Sequence, residues 1–569
     1  MNQPSPAIVA QGAVKRLPRL ALLLFCLAYV LPGLIGREPW KTADITAFGY
    51  MAELARGNSS WFAPTLLGAA PDIDALLPYW LGAWAMQLAP PWIAPDFAAR
   101  IPFGLLLILG LTATWYATYF LAKSPLAQPV AFAFGGEALP PDYARALADG
   151  GLLAFIACLG LAQLSHETTP AQVQLCCTAL VFYAFAAIPY RVTGPVIGGT
   201  VGLFGLSLSG APTLAVLFGA GGALVHWLDP AFAASHSNRN RAWAWGIALV
   251  TMGAAGLTSL LDLWRWRIEI PEARLGQWSG LGRLLLWFTW PAWPLACWTL
   301  WRWRRQLMRR DLSRHLALPL WFVITAVLTT LLTSSSDRSL LLALPALAAL
   351  AAFALPTLER SVAALIDWFT LLFFSGSALI IWIVWVAMLT GVPAQPAANV
   401  ARLAPGFEPA FSFAPFFIAT IATMAWAWLA KWRAGRHRAA IWKSVVLPAG
   451  GAALCWLLLM TLWLPLLNYA RSYAPMVNRL EVQTGSSTCV ESAGLNRSQI
   501  AAIQFHASFE LKRAGAAPSC RWLIVGRDKD GTLPGRPDLK PWQLHGTVRH
   551  PSDKSEDLLL YQRTTPSNH

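Results

Sequence analysis

What most constrains this chain is a succession of nearly charge-free apolar runs, each close to the ~20 residues that an α-helix needs to cross a bilayer. They occupy 17–35, 100–122, 148–165, 170–189, 194–209, 211–228, 242–262, 284–301, 317–333, 339–356, 363–391, 411–430 and 443–466. Only 12% of the 569 residues are charged, against about 25% in an ordinary soluble domain. Charge so scarce over so long a chain means that lipid, not water, surrounds most of it. The 30 tryptophans suit indole rings that anchor helix ends among headgroups. The first run follows Lys15, Arg16 and Arg19 as a signal peptide would, but leads into Gly36-Arg37-Glu38-Pro39-Trp40 with no small-x-small cleavage site. It is therefore read as a retained helix.

Charge sets the topology. The runs at 194–209 and 211–228 are interrupted by Gly and Pro near Ser209-Gly210, and merging them would reverse everything downstream. Keeping them apart gives about thirteen spans with a cytoplasmic N-terminus. The inner loops then collect Arg239 and Arg241; Arg302, Arg304, Arg305, Arg309, Arg310 and Arg314; and Lys431, Arg433, Arg436, Arg438 and Lys443. Merging would put the two richest clusters outside, against the positive-inside rule. The formal charge of +15 thus marks orientation and does not imply a nucleic-acid partner. The stretch from Lys123 to Asp149, rich in Gly and Pro, reads as a cytoplasmic loop without a core of its own. Outside lie 36–99, 263–283 and the polar tail. The expected fold is an all-α polytopic membrane protein over residues 1–466, with a small α/β extracytoplasmic domain at 467–569. Within that tail, Cys520-Arg521-Trp522-Leu523-Ile524-Val525 is a strand-like run. Six of the eight cysteines sit in apolar runs, where Cys behaves as a small hydrophobe. In an oxidising compartment the other two, Cys489 and Cys520, are a natural disulfide pair.

Chemistry concentrates in 36–99. Arg37-Glu38-Pro39-Trp40-Lys41-Thr42-Ala43-Asp44 leads into Ile45 to Leu54, a stretch with apolar residues at helical spacing. Gly57 to Ser60 then turns the chain into Trp61-Phe62-Ala63-Pro64, and Pro71-Asp72-Ile73-Asp74 precedes Pro78-Tyr79-Trp80-Leu81. Ala75 to Leu88 is apolar but short and contains Pro78, as in a helix lying in the interface. Asp44 falls where an N-cap is wanted. An acidic residue at the membrane–water boundary is equally placed to act on the headgroup of a lipid-linked substrate, and the residues alone leave both roles open.

This order of elements resembles the first periplasmic loop of the bacterial lipid A aminoarabinose transferases, members of the protein O-mannosyltransferase superfamily with the GT-C fold. A weaker likeness covers 334–356, where Ser334-Ser335-Ser336-Asp337-Arg338 precedes Leu340-Leu341-Leu342-Ala343-Leu344-Pro345. The resemblance implies thirteen spans, a bacterial inner membrane, a periplasmic C-terminal domain and a polyprenyl-phosphate sugar as donor. The acceptor would be a lipid, a glycan or a protein. It makes Asp44 the essential residue, acting as base on an acceptor hydroxyl or orienting an ionised acceptor. Cationic groups, of which Lys41 and Arg338 are candidates, or a divalent metal ion would stabilise the departing lipid phosphate. Asp72, Asp74 and Tyr79 join the substrate-binding set. So do His166 and Glu167, on the outer side between the third and fourth runs, which a short solvated loop would also explain. This sequence departs from the family where Glu-Lys-Pro is expected before the Tyr-Trp; it reads Asp72-Ile73-Asp74-Ala75-Leu76 instead. That argues against assigning aminoarabinose and lipid A specifically.

Arg265, Arg267, Glu269, Glu272 and Arg274 could meet an anionic acceptor or simply connect two spans, and Asp367 reads as interfacial. No Walker loop, Rossmann fingerprint, Cys-x-x-Cys or nucleophile elbow is present, which argues against a nucleotide-driven pump and against serine hydrolase chemistry. The alternatives are a transporter or flippase of a lipid-linked substrate, and a catalytically inactive relative that binds membrane lipids. Nearly charge-free spans weigh against transport.

Overall fold

Proline marks where many of the helices begin. The computed structural model describes residues 5–264, 275–308, 313–333, 337–434, 440–485, 487–515, 519–526 and 539–564. In it Pro95, Pro140, Pro170 and Pro212 open the helices Pro95–Ala122, Pro140–Ala157, Pro170–Ala187 and Pro212–Leu228. Proline costs little there, because first-turn N–H groups have no intrahelical partner and its fixed φ already suits the helix. The described chain forms two compact units. One comprises Met1–Leu34, Phe103–Leu379 and Phe416–Thr461; the other comprises Ile35–Pro102, Ile380–Pro415 and Leu462–His569.

The first unit carries most of the apolar runs as helices. At its centre Leu344–Ala354 is buried at every residue and packs on Ala292–Arg302, Pro140–Ala157 and Arg314–Leu332. The interrupted pair is two helices, Thr193–Leu208 and Pro212–Leu228. Gly210 between them has φ 84°, a conformation that side chains resist. A Cβ on Gly202 would stand 2.8 Å from the Cys177 carbonyl oxygen, so only glycine lets Thr193–Leu208 and Pro170–Ala187 approach this closely.

Among the described residues six helices are long and apolar enough by themselves to cross a membrane: Pro95–Ala122, Pro170–Ala187, Asn240–Leu260, Arg314–Leu332, Arg360–Thr390 and Phe413–Arg433. Lys443–Leu459 and Leu464–Arg471, bent by 68°, would together make a seventh. The remaining runs are shorter or broken. The 284–301 run divides at Pro291 into Leu275–Phe288 and Ala292–Arg302, since proline offers no N–H to continue a helix. The 339–356 run divides into Asp337–Leu341 and Leu344–Ala354. The loop expected up to Asp149 is shorter than its composition suggested: the helix already starts at Pro140, and Tyr143 and Leu147 are fully buried.

In the second unit the helices Ala43–Ala55 and Leu77–Leu88 pack together, and Ala43–Ala55 also packs on Arg497–His506. The last of these begins with a capping box, Asn496 accepting the Gln499 N–H and Gln499 answering the Asn496 N–H. A five-stranded sheet follows: β1 (Cys489–Ala493), β2 (Glu510–Arg513), β3 (Trp522–Gly526), β4 (Trp542–Val548) and β5 (Leu558–Arg563), in the order β2-β1-β3-β5-β4. β1 runs parallel to β2 and β3, while β5 runs antiparallel to β3 and β4. A disulfide joins Cys489 to Cys520, tying the start of β1 to the approach to β3.

Candidate functional site

The segment leading to Asp44 is pinned at several points within the second unit. Asn468 donates from Nδ2 to the Gly36 carbonyl at 3.0 Å, while its Oδ1 accepts the Glu38 N–H at 3.3 Å and the Trp40 indole N–H at 3.0 Å. The Lys41 N–H donates to the Arg471 carbonyl at 2.7 Å. Thr42 is the N-cap of Ala43–Ala55 and sits at φ 73°. A β-branched residue there is strained, by an amount of order 1–3 kcal/mol. Asp44 is thus not the cap. It lies inside the first turn, where its Oδ2 accepts the Trp40 N–H at 3.2 Å and a hydrogen bond from the Arg37 Nη2.

The Arg37–Asp44 ion pair is dry, with side-chain exposures of 0% and 2%. Arg37 was not singled out from the sequence. The signal for it is modest: it is the first cation after the first apolar run, seven positions before Asp44. Its guanidinium also lies 4.8 Å from the Trp40 ring centroid, with Arg471 5.1 Å from the same ring. The Nε and Nη1 donors of Arg37 are buried and have no hydrogen-bond partner among the described residues. Arg100, also buried, donates to Asp96 at 2.9 Å and feels the charges of both Arg37 and Asp44. Asn468 and Arg471 could not have been found from local pattern, because they lie more than 400 residues downstream of the loop they hold.

The other expected residues of this loop have partners of their own. Lys41 Nζ is 2.8 Å from Asp553 Oδ2, and Asp72 pairs with Arg497. The Tyr79 ring packs on that of Tyr50, their centroids 5.4 Å apart. Burial pushes the Tyr50 phenol up to about 12, and its hydroxyl donates to the Ala69 carbonyl at 3.2 Å. Asp74 is half-buried.

Within the first unit the structure brings together Glu167 and Arg338, 2.8 Å apart, with Gln163 donating to the other Glu167 oxygen at 3.1 Å. His166 lies 2.6 Å from the Ala162 carbonyl through Nδ1 and 3.1 Å from the Tyr29 carbonyl through Nε2. Glu167 and His166 are buried, not solvated. Nearby in sequence Gln172 is wholly buried, and neither of its amide atoms has a partner among the described residues. An apolar cavity of about 340 Å³ is lined by Leu340 and Ala343, just beyond Arg338, together with Trp293, Leu320, Val327 and Leu347. Asp367 pairs with Arg433 at 2.5 Å. Ser334 to Ser336 and the loop residues Arg265, Arg267, Glu269, Glu272 and Arg274 lie outside the described residues. No three His, Cys, Asp or Glu side chains gather as a metal ion would require, again among the described residues. With Asp44 and Asp72 engaged by arginines, these carboxylates do not fit a metal centre.

No protein-family profile matches the chain, and no curated protein matches it either. Solved structures do. ArnT from Cupriavidus metallidurans is similar both in the apo state and bound to undecaprenyl phosphate. Each match has 13% identity and a TM-score of 0.59, and covers 95% of this chain and 97% of that one. The likeness spans nearly the whole of both proteins, and the chain resembles ArnT in fold.

Proposed function

We propose that the chain is a membrane glycosyltransferase that moves a sugar from a polyprenyl-phosphate donor to a lipid, glycan or protein acceptor, at the periplasmic face of a bacterial inner membrane. The observation that carries this reading is the buried Arg37–Asp44 pair. Burying two charges is costly, and the cost exceeds the Coulombic gain unless further hydrogen bonds satisfy both groups. Here the Nε and Nη1 nitrogens of Arg37 have no hydrogen-bond partner among the described residues, as a site built to receive an anionic oxygen would have them. The strained Thr42, two residues before Asp44, adds to this.

In the reaction, an acceptor oxygen attacks the anomeric carbon from the face opposite the phosphate. The bond from that carbon to the phosphate oxygen breaks, its electron pair stays with the phosphate, and the sugar is inverted. Asp44 takes the hydroxyl proton of the acceptor, or orients the acceptor where that is already ionised. Arg37 holds Asp44 in place and offers its remaining donors to anionic oxygen. Lys41, committed to Asp553, serves to fix the loop. No step runs through a metal ion. The first unit, read by itself, suits a lipid phosphate: the cation Arg338 is followed on the same short helix by Leu340, which lines an apolar cavity. ArnT is known bound to undecaprenyl phosphate, a lipid phosphate of the class proposed here.

The test is transfer by protein reconstituted in lipid, given a pool of polyprenyl-phosphate sugars and a membrane extract, with products identified by mass spectrometry. Asp44→Asn, compared with wild type on the folded fraction of each protein, should lose a factor of about 10²–10⁴ in rate. Equal transfer by both proteins would reduce Asp44 to a structural residue. Substrate movement across the bilayer without transfer would make the protein a flippase.

A further inference from the structure

The helices Arg19–Val30, Phe413–Ala434 and Lys443–Leu459 enclose, within the first unit, an apolar groove of about 350 Å³. Its lining includes Leu17, Phe25, Trp426, Leu429, Gly450 and Leu457. Glycine keeps it open at one point, since a Cβ on Gly450 would lie 2.7 Å from Leu429. Along Lys443–Leu459 the lining runs from Val446 to Leu457. At 1.5 Å per residue that is about 17 Å, roughly half of the ~30 Å hydrocarbon core. The groove therefore matches one leaflet in depth.

Among the described residues, charge gathers at one end of it. There Lys443 Nζ stands 5.8 Å from the Trp432 ring centroid, and Trp432 stacks on Trp442 with centroids 6.4 Å apart. The Trp442 indole donates to the Lys15 carbonyl at 2.7 Å. Lys443 is within electrostatic reach of Lys15, Arg433 and Asp367. Among the described residues three cations thus stand with the Asp367 carboxylate, while Asp149 accepts the N–H of Leu17 in the lining at 3.3 Å, which leaves one positive charge in excess. Arg433 keeps a buried Nε donor with no hydrogen-bond partner among the described residues. Around this end Trp428, Trp432 and Trp442 line the groove, where indoles favour the headgroup region.

We infer that this groove binds an anionic phospholipid, one acyl chain lying along the apolar wall and the phosphate meeting Lys15, Arg433 and Lys443. The leaflet is the one on the basic side, cytoplasmic by the positive-inside rule. Zwitterionic lipid fits the wall equally well but gains nothing from the excess positive charge, so the headgroup decides occupancy.

Native mass spectrometry of the delipidated full-length protein, titrated with phosphatidylglycerol or phosphatidylethanolamine, tests this. Wild type should retain one phosphatidylglycerol with at least a tenfold preference. Ala425→Trp, at an exposed position of the lining, should lose that molecule. Lys15→Gln, also exposed, should cut the preference about fivefold. Equal retention by wild type and Ala425→Trp, or equal binding of the two phospholipids, would overturn the assignment. So would undecaprenyl phosphate displacing phosphatidylglycerol at lower concentration, since the groove would then belong to a lipid-linked donor.

Discussion

At the scale of single residues, Asp44 stood out in the sequence as a carboxylate shortly after an apolar run, but its partner did not. The capping reading failed because Thr42 takes a left-handed φ and becomes the cap itself, leaving Asp44 as the second residue of the helix and turned back on Arg37. The dryness of that pair has a measurable consequence. Arg37→Gln leaves a buried carboxylate uncompensated and should cost about 3–5 kcal/mol, whereas Arg37→Gln with Asp44→Asn should cost distinctly less. Denaturant unfolding in detergent would show it; additive losses would mean that water reaches the pair. The Lys41–Asp553 bridge behaves differently because it is half-exposed. The Lys41 ammonium holds the Asp553 carboxyl well below the usual carboxylate range. A depressed folded value stabilises the fold above the unfolded value near 3.9 and loses that contribution as pH falls through the folded one. A Lys41→Gln/Asp553→Asn double-mutant cycle should therefore give about 0.2–1 kcal/mol of coupling at pH 7, declining below about pH 4. Coupling that held constant down to pH 3 would contradict the assignment.

At the scale of elements, the apolar runs were readable because lipid leaves so few alternatives for a charge-free stretch of that length. What hydropathy could not show is where a run breaks. Pro291 splits one helix, and the turn around Thr461 bends another by 68°; apolar content is the same on either side of such a break. Nor could periodicity show that the Asp44 helix packs on Arg497–His506, more than 400 residues away. The contact depends on Gly49, where a Cβ would lie 2.5 Å from the Ala501 Cβ and 3.2 Å from its Cα. The Ala501 methyl, held rigidly on its backbone and not a flexible side-chain tip, stands in the way. Gly49→Ala should then destabilise by about 1–3 kcal/mol, and adding Ala501→Gly should recover much of the loss. Thermal unfolding of the three variants measures both. A neutral Gly49→Ala would mean that these helices are not closely packed.

At the scale of the whole molecule, topology follows from charge and from the parity of the spans: one span more or fewer moves the C-terminal sheet to the other side of the membrane. Labelling of the two sheet cysteines would report which side that is. Cys489 and Cys520 are joined across a sequence separation of 31, a loop whose closure stabilises by about 3–4 kcal/mol. Such a bond persists only in an oxidising compartment. The six other cysteines are free and fall in the apolar runs, where a membrane-impermeant, charged maleimide has no access. Labelling intact cells with that reagent should give essentially no signal until a reductant is added, and then modify Cys489 and Cys520 alone. Cys489→Ser/Cys520→Ser should abolish the reductant-dependent signal and make the tail more sensitive to protease added outside. An odd number of spans after a cytoplasmic N-terminus predicts this result. If the two cysteines react only after the cells are broken, and without reductant, the tail lies in the cytoplasm. The span number is then even, and a periplasmic transfer site is no longer tenable.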